Sequence, residues 1–285
     1  MSAIKITSLL LTALVATSVA AQVPAFDVAT IKRTTAPNGL TEFQMRQGGR
    51  LVVMGMSLRD LVRRAYGSDE IQRSEQVIGG PDWAGVDRYD ILAATDAAVG
   101  ASPELRNAGM LAMVRTLLTD RFKLKAHTEL RDADTYALVL ANKDGKLGTN
   151  LHPSTIDCPV LIPGVPRNTD PARWCGVRGG GLSGMLRGQG VTMKELTAIL
   201  AIYATVARPV RDRTGLDGRF DFAVEFTAPF IAGPTPGSQA VPNPAADTGP
   251  TLFTALQEQL GLRLQNERAK IPFLVIDSAD HPTEN

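Results

Sequence analysis

The hexapeptide RYDILA, residues 88–93, is written again as RFDFAV at residues 219–224. Each follows a turn rich in Gly and Asp: GGPDWAGVD ends at Asp87, and TGLDG ends at Gly218. In the second stretch Phe220, Phe222, Val224 and Phe226 alternate with Arg219, Asp221, Ala223 and Glu225. Period two with aromatic and branched residues is the pattern of a half-buried strand, and Asp217-Gly218 is a hairpin-turn signal. The aromatic residue faces inward. Arg219 and Asp221 then stand two apart on the opposite face, close enough to pair laterally, and Arg88 and Asp90 repeat this around Tyr89.

The similarity extends outward. Upstream lie VVMGMSLRDLVRRAYG, residues 52–67, and LRGQGVTMKELTAILA, residues 186–201. Each carries a Gly, then a hydroxyl residue (Ser57, Thr192) with an acid three positions on (Asp60, Glu195). This is the capping box, in which two helix-start donors are satisfied reciprocally, and apolar residues at helical spacing follow. Downstream, NAGMLAMVRTLLTDRF (107–122) and TLFTALQEQLG (251–261) read as second helices. Each leads into a basic-apolar strand, FKLKAHTEL or LRLQNER, and then an apolar strand, TYALVLA or PFLVIDS. The expected fold class is α+β: a tandem duplication of a small βαββαββ-like unit, two helices on short mixed sheets, each copy burying its own apolar faces. The first unit covers residues 22–141 and the second 186–285. Residues 142–185, rich in Gly and Pro, read as a linker, and 228–250 as a flexible insertion in the second unit.

A length of 285 residues with 44% hydrophobic and 21% charged composition suits two modest domains. Thirty Lys+Arg against 29 Asp+Glu leave a net charge of +1, too little to hold a phosphate backbone, so nucleic acid is not an expected partner. Lys5, an apolar run from Ile6 to Val19 and small residues before Gln22 have the form of a cleaved export signal over residues 1–21. The run is too short for a membrane span, so no transmembrane anchor is expected in the mature chain, which reads as periplasmic or secreted. In an oxidising compartment the two cysteines, Cys158 and Cys175, read as a disulfide.

No residues read as catalytic, metal-binding or cofactor-binding. The three histidines, His127, His152 and His281, share no ligand spacing. Ser183 in GGGLSGM lacks the Gly-x-Ser-x-Gly frame. Asp82, Asp90, Asp212 and Asp221 are the acids that a hydrolase would bring together; otherwise they pair with Arg or cap turns. Trp83 and Trp174 either pack locally or stand at loops and stack on a sugar or a partner side chain. Arg208, Arg211 and Arg213 form a basic cluster fit for an anionic ligand, unless Asp212 and Asp217 neutralise it.

FDVATIK (26–32), SLRDLVRRAYG, GGPDWAGVDRYDILA, LLTDRFKLKAHTELRDADTYALVLA, RPVRDRTGLDGRFDF and the closing QEQLGLRLQNERAKIPFLVIDSADHPTEN together resemble the soil-associated family of uncharacterised exported proteins abundant in acidobacteria. That resemblance implies no activity and carries over no site. Some relatives are joined to a BlaR1-like membrane metallopeptidase sensor, whose HExxH motif this chain lacks. The element order, and LQEQLGLRL in particular, is also similar to the short N-terminal domain of secretins and TonB-dependent receptors, which binds other proteins. The expected function is an exported, non-catalytic binding module for an unknown protein or envelope ligand. The alternatives are a secreted hydrolase with acids at the interface of the repeats, and a detached sensory domain that partners a BlaR1-like protein.

Overall fold

The computed structural model describes residues 24–34, 41–46, 48–68, 70–96, 103–156, 158, 174–180, 184–203, 205–228, 230–231, 241–243 and 248–283. The expected leader at residues 1–21 and Ser183 lie outside them.

The fold is α+β. In chain order the first half forms β1 (Val28–Arg33), β2 (Glu42–Arg46), β3 (Arg50–Ser57), α1 (Leu58–Tyr66), β4 (Val77–Gly79), β5 (Arg88–Ala94), α2 (Pro103–Phe122) and β6 (Lys125–Leu140). The second forms β7 (Leu151–Pro153), β8 (Gly176–Gly180), β9 (Met185–Val191), α3 (Met193–Ala201), β10 (Val210–Asp212), β11 (Phe220–Glu225), β12 (Phe230–Ile231), β13 (Val241–Pro242), α4 (Leu252–Ala255) and β14 (Leu262–Ser278). After α4 the chain continues through a π-type turn, Leu256–Leu260, and stops at Gly261, which sits in the left-handed region at φ 69°. A glycine in that conformation ends a helix without steric cost.

Corresponding elements occupy corresponding places. One sheet runs β1-β5-β3-β2 and another β7-β11-β9-β8, so the strand carrying RYDILA and the strand carrying RFDFAV each lie second in order. The stretches 151–153 and 176–180, read from sequence as linker, are strands: they flank β11 and β9 as β1 and β2 flank β5 and β3. Their Gly and Pro content hid them, because a three-residue strand with one buried side chain has no periodicity to detect. Within the expected insertion, β12 and β13 pair as a small antiparallel ladder.

A third sheet, β10-β6-β14-β4, joins the halves. β6 and β14 pair antiparallel from Leu140↔Leu262 to Lys125↔Ser278. Each was expected to be two strands. They are continuous because residues 131–134, Arg-Asp-Ala-Asp, contain no Gly or Pro, and each finds a ladder partner in 268–271. At the ends the exchange is reciprocal: β4 of the first half runs parallel to β14, and β10 of the second half parallel to β6.

This exchange corrects the expectation that each half closes its own core. The first core gathers Leu58, Leu61 and Val62 of α1, Val114 and Leu118 of α2, and Ile31, Val53, Tyr89 and Ile91 of the sheet, but it is completed by Leu274 and Ile276 of β14. The second gathers Leu196 and Leu200 of α3 with Leu186, Phe220, Phe222 and Val224, and takes in Leu138 of β6. Volume is traded across matching strand pairs. Val53 faces Ile91 in the first sheet, whereas Gly188 faces Phe222 in the second, and a Cβ on Gly188 would lie 2.0 Å from the Phe222 ring. Side-chain amides add to the joint: Gln72 accepts the Val210 N–H at 2.9 Å and donates to the Val210 carbonyl at 3.0 Å, and Gln76 donates to Pro272 at 3.0 Å.

Candidate functional site

The repeated Arg-aromatic-Asp motif has one geometry in both halves. Arg88 donates to the Gly55 carbonyl at 2.7 Å while Asp90 accepts the Gly55 N–H at 2.7 Å. Arg219 donates to the Gly190 carbonyl at 2.6 Å while Asp221 accepts the Gly190 N–H at 2.7 Å. Both glycines are left-handed, at φ 60° and 62°, and each lies where the register shifts, a bulge just ahead of a helix. A bulge interrupts the ladder and leaves its peptide without backbone partners. Arg and Asp supply them, gripping one glycine from two sides instead of pairing with each other as expected.

Tyr89 and Phe220 between them point into the cores. The helix starts differ slightly. Thr192 and Glu195 form the full capping box, at 3.1 and 2.8 Å. Ser57 caps the Asp60 N–H at 3.2 Å, but the shorter Asp60 carboxylate takes the hydroxyls of Ser57 and Ser74, at 2.8 and 2.9 Å.

The four acids weighed for hydrolysis serve four separate places. Asp90 and Asp221 hold the bulges of different sheets. Asp212 accepts the N–H and hydroxyl of Thr214 at 2.9 and 2.8 Å, a turn cap. Asp82 is exposed at the start of the helical turn Asp82–Gly85.

The arginine cluster is not free either. Arg211 and Arg213 both approach the Glu267 carboxylate, at 3.4 and 3.5 Å, and Arg208 donates to Asn266 at 3.0 Å while lying over the Tyr136 ring. Glu267 pairs with two of the three, in place of the Asp212 and Asp217 named from sequence, and the cluster keeps a net positive charge. Trp83 packs at the edge of the first core and stacks on His281, ring centroids 4.1 Å apart, and the same imidazole lies 3.1 Å from the Tyr89 hydroxyl. This stack fastens the C-terminal segment to the first half. Among the described residues no group of His, Cys, Asp and Glu is placed to hold a metal ion.

Trp174 is placed differently. Cys158 and Cys175 are disulfide-bonded, and a Cβ on Gly190 would lie 2.1 Å from the Cys158 sulfur, so the bridge rests on the β9 bulge and holds Trp174 against the second sheet. There, on the face away from the core, a groove of about 330 Å³ is lined by Asn150, His152, Trp174, Arg187, Gln189 and Asp221. The volume lies at the lower end of the range of small-ligand sites.

Strand alternation builds the groove. In β11 Phe220, Phe222 and Val224 are buried while Asp221 and Ala223 face outward, and in β9 Arg187 and Gln189 do the same. Register sets His152 directly across from Asp221, Arg187 across from Ala223, and Arg178 across from Arg187. The Arg178 guanidinium lies 4.5 Å above the Trp174 ring. Among the described residues, nothing donates to the buried Gln189 side-chain oxygen. In the first sheet, Val52 and Leu92 face each other where Arg187 and Ala223 do in the second. Leu92 and Val28 there are exposed, so apolar side chains stand on that outer face where the second sheet has the groove.

Of these groove residues, sequence singled out Trp174, Asp221 and His152. Asn150, Arg187 and Gln189, and Arg178 beside the groove, carried no signal, since it takes strand register to bring them together.

A family model described as protein of unknown function, DUF3738, matches residues 59–279. The chain belongs to this family. The DUF3738 region opens inside α1 and runs through β14, so it contains every groove residue and the whole second sheet, while β1, β2 and β3 precede it. No curated protein and no solved structure matches the chain significantly. Among the described residues, no helix is long and apolar enough to cross a membrane.

Proposed function

We infer that this DUF3738 protein is an exported, non-catalytic binding module whose ligand lies in the groove on the outer face of the second sheet. The observation that carries this is the groove's unmatched polarity: a buried Gln189 oxygen without a donor and two facing arginines, beside an aromatic ring held by a disulfide. Buried polar groups are almost always paired in native proteins, and an orphaned one beside an aromatic wall marks a place where a ligand completes the pairing. Among the described residues the groove has one carboxylate, Asp221, with an oxygen already committed to Gly190. Hydrolysis by paired acids needs a second carboxylate on the opposite side of the scissile bond, which supports binding over turnover.

Export is supported by the N-terminal segment and by the disulfide, a bond that persists in oxidising compartments. The matching sheet orders and the two glycine clamps support descent of both halves from one ancestral unit. The test is a pulldown with the mature protein from envelope extract and culture medium, beside a broad hydrolase screen. A retained ligand that Trp174→Ala releases supports the reading. Substrate turnover with nothing retained overturns it.

A further inference from the structure

Resting on that reading, we propose that the groove takes an acidic saccharide, a pyranose ring that bears a carboxylate. Arg178 and Arg187 stand directly opposite each other on β8 and β9. Directly opposed like charges destabilise a strand pair, and among the described residues neither arginine has a carboxylate partner. Arg178 is held over the Trp174 ring, which leaves its guanidinium edge free to donate. A carboxylate between the two relieves the repulsion and matches the planar donor fork of guanidinium.

The rest of the groove asks for hydroxyls. The Gln189 oxygen requires a donor, and His152 of β7 and Asn150 just before it offer both donors and acceptors. Asp221 lies at the end of the groove nearest β7, across from His152, so the negative end faces the hydroxyls and the two arginines face the acid group. That polarity fixes the direction in which a sugar lies. Trp174 supplies the apolar surface on which the C–H face of a pyranose packs. A purely apolar ligand leaves the Gln189 oxygen without a donor and the two arginines opposed without a counter-charge.

The test uses the full mature protein and a panel of oligosaccharides ending in uronic or sialic acid, each beside its methyl ester, which keeps the ring and hydroxyls but removes the charge. Binding is read by calorimetry and by Trp174 fluorescence in a Trp83→Phe background, since the chain has two tryptophans. An acid is expected to bind at least about tenfold more tightly than its ester, because a charge-assisted bond is worth more than a neutral one. Arg187→Ala brings the two to equal affinity without lowering the Tm, and Trp174→Ala abolishes binding of both. Equal binding of acid and ester, unaltered by Arg187→Ala, overturns the acidic-saccharide assignment and leaves the groove as a binding site. No saturable binding across the panel overturns the assignment too, while the pulldown decides separately whether the groove binds anything.

Discussion

Asp221 takes the N–H of Gly190 at 2.7 Å, and this one bond ties the start of β11 to the bulge of β9 beside the groove. Asp221→Ala leaves that N–H without its acceptor and is expected to cost about 1–3 kcal/mol in urea denaturation. Gly190→Ala is expected to cost more than Asp221→Ala. Its φ of 62° is unfavourable to any residue with a Cβ, and the new carbon would lie 2.1 Å from the Cys158 sulfur. A Gly190→Ala protein as stable as the wild type would show that the bulge is not held as described.

The disulfide between Cys158 and Cys175 closes a loop with a sequence separation of 17. Removing it with the Cys158→Ser and Cys175→Ser pair is expected to lower stability by roughly 3 kcal/mol, through the freedom returned to the unfolded chain. The second consequence is local. Trp174, next to Cys175, loses its anchor, so its fluorescence shifts to the red while the far-ultraviolet circular dichroism stays native.

Leu274 belongs to the second half of the chain and is buried in the first core. Leu274→Ala is therefore expected to cost about 2–5 kcal/mol, the usual range for emptying a core leucine site. Because β6 and β14 pass between the two cores, heat and denaturant should unfold both in one transition. Calorimetry checks this: a mutant with two separated transitions would show that the shared sheet does not couple the halves.

Burial pushes the Tyr203 phenol up to about 12 from an ordinary value of 10.0, and the ring packs edge-on against Phe226. The folded state therefore keeps a proton that the unfolded chain releases between pH 10 and pH 12, so stability falls as pH rises through that window. Below it both states hold the proton and this group contributes no pH dependence. Tyr203→Phe is expected to flatten the alkaline limb of a stability-versus-pH curve, and an unchanged limb would place the loss elsewhere.

Much of the fold was legible in local spacing. Period two at Phe220, Phe222 and Val224 marked a strand, and hydroxyl-to-acid spacing at Ser57 and Thr192 marked two helix starts. These patterns are readable because the residues that satisfy one another lie within a turn or a strand. The reason for repeating Arg and Asp was not legible. Their partners Gly55 and Gly190 are met through bonds that span 35 and 31 residues, and the register that joins them depends on where each bulge falls.

By itself, then, the sequence determined the α+β class, the paired strand motifs, the helix caps and the presence of a cysteine pair, all of them short-range consequences of side-chain spacing. Tertiary structure alone decided that β6 and β14 are single strands exchanged between two cores, and that Glu267 pairs with both Arg211 and Arg213. It also decided that Arg187, Gln189 and Asp221 share one groove, with Arg178 set opposite Arg187 beside it. The physical reason is that a strand's side chains meet whatever register places opposite them. Register is an agreement between distant segments, reached when both apolar faces are buried at once.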